Sequence, residues 1–91
     1  MSRQQTKVLF SGDVQGVGFR YTACRVAADY DLTGYVRNCP DGQVECLVEG
    51  EQDQIEAFIE AIGQAMGGYI RDTSQQIAPY TGRYDKFTVS Y

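Results

Sequence analysis

Two stretches of helical periodicity alternate with short strand-like runs along the chain, and this order limits the folds it can adopt. The predicted helices cover residues 18–31 and 52–66, and each is amphipathic. Their apolar stripes are Phe19, Ala23, Val26, Ala27 and Tyr30 in the first, and Ile55, Phe58, Ile59, Ile62 and Met66 in the second. Strands are predicted at residues 7–12, 32–38, 44–50, 69–77 and 87–91, with residues 69–77 giving the weakest pattern. The order of elements is therefore β-α-β-β-α-β.

This order is typical of a ferredoxin-like α+β sandwich, in which an antiparallel sheet of four to five strands carries two helices on one face. Two right-handed crossovers would place the first strand in the interior of the sheet. Because the chain has 91 residues, it is large enough for a single hydrophobic core. We expect a flexible N-terminus over residues 1–6 and a single domain over residues 7–91.

Composition excludes several classes of function. The net charge is −4 with only eight scattered basic residues, which argues against a nucleic-acid partner because such binding needs a broad basic surface. The sequence has neither an apolar run of membrane-spanning length nor the apolar core of a signal peptide. We therefore expect no membrane association and a cytoplasmic location. The absence of histidine excludes histidine-dependent triads and histidine metal sites.

Cysteine usage predicts neither a disulfide framework nor a metal site. Cys24, Cys39 and Cys46 are odd in number and lack a Cys-x-x-Cys spacing. We expect reduced thiols, with Cys24 and Cys46 in or near the core. Cys39 lies in a turn, and a nucleophilic role for it is an alternative, although the chain has no histidine to activate the thiol.

The segment from Phe10 to Arg20 carries the strongest local signal for a binding site. Its sequence predicts a strand, then a turn with glycines at positions 12, 16 and 18, and then the start of a helix. Glycines permit positive φ angles, successive N–H groups can then face one concavity, and the helix N-terminus adds further donors. Arg20 supplies a planar, permanently charged fork suited to phosphate or carboxylate. The segment could hold an oxyanion, or it could be a tight connection with a solvated arginine. It matches neither the Walker A nor the Rossmann pattern.

Two segments together resemble the signatures of the acylphosphatase family. The first is Gly-Asp-Val-Gln-Gly-Val-Gly-Phe-Arg at residues 12–20. The second is Gly-Tyr-Val-Arg-Asn-Cys-Pro-Asp-Gly-Gln-Val at residues 34–44, followed by Gly50. Tyr84-x-x-Phe87 also resembles the family, and the likeness covers residues 7–91. Phe10 replaces a more usual aliphatic residue, and residues 67–82 match only loosely.

The resemblance implies an enzyme that hydrolyses an acyl phosphate to a carboxylate and inorganic phosphate, without metal or cofactor. It implies that the loop formed by Gln15, Gly16, Val17, Gly18, Phe19 and Arg20 binds the phosphoryl group. Arg20 and Asn38 would be the catalytic residues, with Asn38 orienting the attacking water. The partners expected are a small-molecule acyl phosphate and inorganic phosphate as a product inhibitor, and we expect a monomer.

Side-chain chemistry fits these roles but leaves alternatives open. The carboxamide of Asn38 can accept a hydrogen bond from water and donate one to substrate, yet an asparagine before Cys-Pro-Asp-Gly could instead cap its own turn. Arg37 should point to the opposite face of its strand, into solvent. Gln15 and Val17 are expected to act through their backbones.

Two other functions remain to be separated from hydrolysis. A non-catalytic or carbamoyl-phosphate-handling module is one, because a similar domain begins a larger hydrogenase-maturation protein; the absence of zinc-finger cysteines and of a further domain favours the free-standing hydrolase. An RNA-binding module of the same topology is the other. It would need stacking aromatics on its central strands, which residues 7–12 and 43–48 do not supply.

Overall fold

A computed structural model describes residues 2–91 and contains five strands and two helices. Their bounds are β1 Arg3–Gly12, α1 Phe19–Ala27, β2 Thr33–Asn38, β3 Val44–Glu51, α2 Gln52–Met66, β4 Ile70–Pro79 and β5 Phe87–Val89. The predicted order of elements is confirmed, and α2 has the bounds predicted from the sequence. No helix among the described residues is both long and apolar enough to cross a membrane.

The five strands form one sheet in the order β4-β1-β3-β2-β5, so β1 lies in its interior as predicted. Neighbours among the first four strands are antiparallel, whereas β5 runs parallel to β2. The ferredoxin-like α+β class is confirmed, but the sheet is mixed rather than antiparallel throughout. The parallel pair arises because residues 80–86 cross from the β4 edge to the β2 edge at one end of the sheet, and β5 then runs in the direction of β2.

The first strand is longer than the sequence predicted. It begins at Arg3, and Arg3–Thr6 pair with β3 on one side while Gln4–Thr6 also pair with β4 on the other. The sequence analysis expects a flexible N-terminus over residues 1–6 and starts the first strand at residue 7. In the structure Thr6 pairs with strands on both sides and is 1% exposed. Met1 lies outside the described residues.

Both helices pack their apolar stripes against the sheet and against each other. The fully or nearly fully buried residues of the helices are Phe19, Ala23, Ala27, Ile55, Phe58, Ile62 and Met66. Helix α1 ends at Ala27 rather than at Asp31, because the next residues form tighter bonds: the Asp29 N–H donates to the Val26 carbonyl and the Tyr30 N–H to the Ala27 carbonyl. Val26 and Tyr30 still contact the core.

The opposite face of the sheet is polar but partly covered. The carboxylate of Glu49, in β3, is buried, with the residue 1% exposed. It accepts hydrogen bonds from Gln5 Nε2 at 2.8 Å, from the N–H and hydroxyl of Thr81 at 3.0 and 2.7 Å, and from the N–H of Gly82 at 3.0 Å. Glu49 therefore fixes the crossing segment 80–86 to the sheet. The loop before α1 lies at the far end of the sheet, where β1 and β2 terminate.

Candidate active site

The end of β1 determines the direction of the loop before α1. The pairing of β1 with β4 shifts register between Ser11 and Gly12, and the Asp13 N–H donates to the Tyr69 carbonyl at 2.9 Å. A Cβ on Gly12 would lie 2.4 Å from that carbonyl oxygen, so only glycine permits this approach. The chain is thereby turned across the end of the sheet before α1 begins.

Two glycines give the loop its curvature. Gly16 and Gly18 have φ angles of 78° and 79°, in the left-handed region, and each would have open space around a Cβ. Conformation rather than space therefore favours glycine at both positions. Gly18 is the N-cap of α1, and no side chain caps that end of the helix.

The N–H groups of the loop are free to bind a ligand. Throughout the described chain, none of the six backbone N–H groups from Gln15 to Arg20 donates to another protein group. The first N–H of this region with an acceptor is that of Thr22, which donates to the Gly18 carbonyl. Unpaired donors at a glycine turn and a helix N-terminus bind oxyanions well. We call residues 15–20 the anion loop.

A cavity of about 390 Å³ opens beside the anion loop. It brings together Gly16, Gly18, Phe19, Arg20 and Asn38, five of the seven residues that the sequence predicted for the site. The side chains of the other two, Gln15 and Val17, do not line it. The remaining lining residues are Val14, Tyr21, Cys24, Val89 and Tyr91.

Asn38 lies at the end of β2, on the cavity side of the strand. Its carboxamide makes no hydrogen bond to any other group within residues 2–91. The alternative in which Asn38 caps its own turn is not what the structure contains. Asp41 has that role, since its Oδ1 accepts a hydrogen bond from the Gln43 N–H at 3.0 Å. The Asn38 amide is therefore available to a ligand or to water.

Arg20, the second residue of α1, supplies the only charged side chain among the cavity-lining residues. The guanidinium carbon lies 5.5 Å from the ring centroid of Tyr91, within the range of a cation–π contact. This stacking restricts the orientation of the guanidinium. Because the ring contacts the face of the guanidinium, the N–H groups at its edge remain free to bind an anion.

The side chain of Gln15 has a role that the sequence analysis missed. Its Nε2 donates to the carbonyls of Cys39 and Gln43, both at 2.8 Å. These bonds join the anion loop to the β2–β3 hairpin that carries Asn38. Val17, by contrast, packs against the core. No local pattern marks Gln15 for this role, because its acceptors lie more than 20 residues away along the chain.

Arg37 points to the opposite face of β2, as predicted, but it is not simply solvated. Its Nε and Nη2 donate to Glu45 at 3.2 and 3.3 Å, and the Tyr35 hydroxyl donates to the same carboxylate. Burial works against the ionised form of Glu45, but these hydrogen bonds offset it and lower the pKa of that carboxyl. Burial and the bond to Glu45 raise the pKa of Tyr35 to about 12. This cluster lies outside the cavity.

The thiols are poorly suited to act as nucleophiles. Cys39 does not line the cavity, and burial raises the pKa of its thiol. Cys24 does line the cavity, yet burial raises its pKa as well, as it does the pKa of the fully buried Cys46. At neutral pH all three are therefore thiols. Within residues 2–91, no group of three His, Cys, Asp or Glu side chains could hold a metal ion.

The fold and the cavity together define a class, the small ferredoxin-like sandwiches that present a glycine-containing loop with unpaired N–H groups, an arginine and an asparagine at one end of the sheet. Comparison with known proteins narrows the class. The family model for acylphosphatase matches residues 6–89. The chain belongs to the acylphosphatase family.

Individual relatives cover most of the chain. An acylphosphatase of Methanospirillum hungatei is 46% identical over 68 residues, which is 75% of each chain. The crystal structure of an acylphosphatase from Bacillus subtilis superposes with a TM-score of 0.87 at 31% identity, covering 97% of this chain and 99% of that one. T. kodakarensis HypF superposes with a TM-score of 0.83 at 32% identity, but the match covers 12% of that larger chain.

Proposed function

We propose that the anion loop and Arg20 hold the phosphoryl group of an acyl phosphate while Asn38 orients the water that attacks it. The products are a carboxylate and inorganic phosphate. Membership of the acylphosphatase family assigns this reaction to the chain. One observation carries the assignment of roles: four residues of the anion loop with unpaired N–H groups, the guanidinium of Arg20 and the unpaired carboxamide of Asn38 line a single cavity.

The electrostatics of the site suit phosphoryl transfer. The reaction passes through a loose transition state whose charge is spread over the equatorial oxygens of the phosphoryl group. Oriented N–H donors and a guanidinium stabilise that charge without having to reorganise during the reaction. A carboxylate is a weak base and leaves readily, so the protein has little need to neutralise the leaving group with a metal ion.

Asn38 is suited to position water rather than to deprotonate it. The carboxamide oxygen accepts a hydrogen bond from the water, and the NH₂ can donate to a phosphoryl oxygen. A water held in this way is aligned for attack on phosphorus. The amide is too weak a base to take a proton, so the proton passes to a phosphoryl oxygen of the substrate itself.

The test is steady-state hydrolysis of benzoyl phosphate, followed by ultraviolet absorbance in the presence of EDTA. The protein is compared with its Arg20→Ala and Asn38→Ala variants. We expect turnover in EDTA, loss of turnover and weaker phosphate inhibition in Arg20→Ala, and a fall in kcat larger than the rise in KM in Asn38→Ala. Near-normal activity in either variant would contradict the proposed roles.

Absence of turnover in a folded protein that still binds phosphate would favour the alternative function, a non-catalytic or carbamoyl-phosphate-handling phosphate-binding module. The likeness to one part of HypF gives that alternative its support. A monomeric state and a cytoplasmic location complete the proposal, and both are tested directly by analytical ultracentrifugation and by fractionation of the source cells.

A further inference from the structure

Few hydrogen bonds hold the half of the anion loop that leads into α1. The side chain of Gln15 bonds to the β2–β3 hairpin, but within residues 2–91 the backbone N–H groups from residue 16 to residue 20 have no protein acceptor. No side chain caps the N-terminus of α1 at Gly18. Gly16 and Gly18 are exposed and have no side chain that could pack. The position of this half of the loop therefore depends on the packing of its other residues.

Phe19, the first residue of α1, connects this half of the loop to the interior of the protein. It is 2% exposed, and among residues 15–20 it alone is buried. Phe19 stands between Gly18, the N-cap of α1, and Arg20, which supplies the guanidinium of the site. The position of the Phe19 ring in the core therefore helps to determine where both of these neighbours lie.

The ring of Phe19 packs against the ring of Phe10, which belongs to β1. The two ring centroids are 5.1 Å apart and the ring planes are tilted by 51°, a favourable arrangement for an aromatic pair. Phe10 is 1% exposed, and its backbone pairs with Val44 of β3 on one side and with Thr73 of β4 on the other. The contact therefore joins a strand in the interior of the sheet to the helix that follows the anion loop.

We propose that Phe10 is a positioning residue for the reaction, because its ring holds Phe19 and thereby keeps Gly18 and Arg20 in the geometry that binds the phosphoryl group. Phe10 does not line the cavity, so its effect on a ligand passes through Phe19, which does. Binding residues are placed most precisely when well-packed residues behind them fix their conformation. The proposal rests on the proposed function, since the loop in question is the one that binds phosphate there.

Loss of the Phe10 ring should weaken anion binding more than it slows the chemical step. A loop that is no longer held in place has to be ordered when the anion binds, and this ordering lowers the affinity for phosphate and for substrate alike. Asn38 lies at the end of β2, and β3 separates β2 from β1. The loss of uniform binding raises KM and leaves kcat nearly unchanged.

The test uses Phe10→Leu, which keeps an apolar side chain but removes the ring. Calorimetry in the cold gives the dissociation constant for inorganic phosphate, and steady-state hydrolysis gives KM for benzoyl phosphate. We expect both to rise by about three- to tenfold, which corresponds to the strength of one aromatic pair, while kcat changes by less than about twofold. An unchanged dissociation constant in the folded variant would overturn the proposal.

Phe58→Leu is the matched control. Phe58 of α2 is also fully buried, and its ring forms a pair with that of Phe87 at 5.6 Å and 59°. Neither of these two residues lines the cavity. The control should lose a comparable amount of stability in urea unfolding but keep the dissociation constant for phosphate. An equal rise of that constant in Phe10→Leu and Phe58→Leu would overturn the specific role of Phe10, because any loss of core packing would then weaken the site.

Phe19→Leu removes the same ring pair from the other side and completes a double-mutant cycle with Phe10→Leu. We expect the double variant to bind phosphate about as weakly as either single variant. Additive losses would mean that the two rings act independently, which would overturn the proposal. If Phe10→Leu does not fold, Phe10→Met takes its place in the cycle, because the flexible methionine side chain fills irregular space in a core.

The outcomes separate this inference from the proposed function. Normal phosphate binding by Phe10→Leu overturns the inference alone, provided that the unaltered protein binds phosphate and hydrolyses benzoyl phosphate. An unaltered protein that does neither overturns the proposed function and this inference together.

Discussion

The carboxamide nitrogen of Gln15 lies 2.8 Å from the carbonyl oxygen of Cys39, the residue that follows Asn38. A second bond of the same length runs from this nitrogen to the carbonyl of Gln43. Gln43 in turn donates through its own Nε2 to the Ser11 hydroxyl at 3.1 Å. Two glutamines therefore connect β1, the anion loop and the β2–β3 hairpin. The distance between the anion loop and Asn38 depends on these bonds.

Replacing Gln15 by leucine should lower both activity and stability. The variant keeps the size of the side chain but removes one hydrogen bond from each of the Cys39 and Gln43 carbonyls, which retain their backbone donors, at a cost of about 0.5–1.5 kcal/mol per bond. We expect kcat to fall by about tenfold or more, because the water that we propose Asn38 orients would be displaced relative to the phosphorus. Urea unfolding and benzoyl phosphate hydrolysis measure the two effects.

Gln75→Leu is the control for this variant, since Gln75 is exposed on β4, away from the cavity. This variant should change the free energy of unfolding by no more than about 0.5 kcal/mol, and kcat by no more than the factor that corresponds to the same free energy. Normal kcat in Gln15→Leu would show that the hairpin holds its position without the glutamine.

The sequence predicted those parts of the fold and site whose causes are local. Helix α2 has an unbroken apolar stripe and ends before two glycines, so its bounds follow from the local sequence. Gly16 and Gly18 indicated a left-handed turn, and both have positive φ angles. The place of Asn38 at the end of a strand followed from the Pro-Asp-Gly turn beyond it.

What the sequence did not predict depends on distant residues. Arg3–Thr6 contain no apolar alternation and form strand only because β3 and β4 flank them. Glu49 resembles an ordinary exposed residue of an alternating strand, and its burial requires the crossing segment 80–86. The parallel pairing of β5 has the same origin. In each case the contact that determines the structure is made by a residue tens of positions away along the chain, and local periodicity cannot predict such a contact.

Arg20→Lys should be nearly as inactive as Arg20→Ala. An ammonium group cannot reproduce the planar pair of donors, and it stacks less well on the ring of Tyr91. Since each charge-assisted hydrogen bond contributes about 1.5–3 kcal/mol, we expect kcat/KM to fall at least about tenfold and the inhibition constant for phosphate to rise. Arg25→Lys, on an exposed position of the same helix, should leave both unchanged. Full activity in Arg20→Lys would mean that only the positive charge matters.

Alanine at position 18 and alanine at position 63 should have opposite effects on stability. Gly18 has a left-handed backbone, so Gly18→Ala costs about 1–2 kcal/mol and also moves the N–H groups of the anion loop. Gly63 lies within α2 with open space around it, and Gly63→Ala should stabilise by about 0.5–1 kcal/mol without altering kcat. Thermal unfolding of both variants checks the signs, and destabilisation by Gly63→Ala would contradict the second.

Activity should change little between about pH 5 and pH 8 once spontaneous substrate hydrolysis is subtracted. The chain has no histidine, and burial raises the pKa values of Cys24 and Cys39 above their ordinary value of 9.0. A thiol with a raised pKa stays protonated throughout this interval, so no cysteine gains charge within it. A bell-shaped profile of kcat/KM centred near neutrality would contradict this account and point to an essential group that titrates in the free enzyme.

Glu49→Gln should destabilise the protein at neutral pH and much less in acid. Burial opposes the charge on Glu49, but the bonds from Thr81, Gln5 and Gly82 outweigh it and lower its pKa below 4.5. A lowered pKa in the folded state adds stability above the unfolded value, and that stability is lost as the pH falls through the folded pKa.

At pH 7 the glutamine amide cannot accept all four hydrogen bonds, so we expect a loss of about 2–3 kcal/mol in urea unfolding. The gap between the two proteins should narrow as the solution is made acidic enough to protonate Glu49 in the folded state, which happens below its ordinary range because its pKa is lowered. Glu60→Gln, at an exposed position of α2, should show no gap at either pH. A gap of equal size at both pH values would mean that Glu49 stabilises the crossing segment by its shape and packing rather than by its charge.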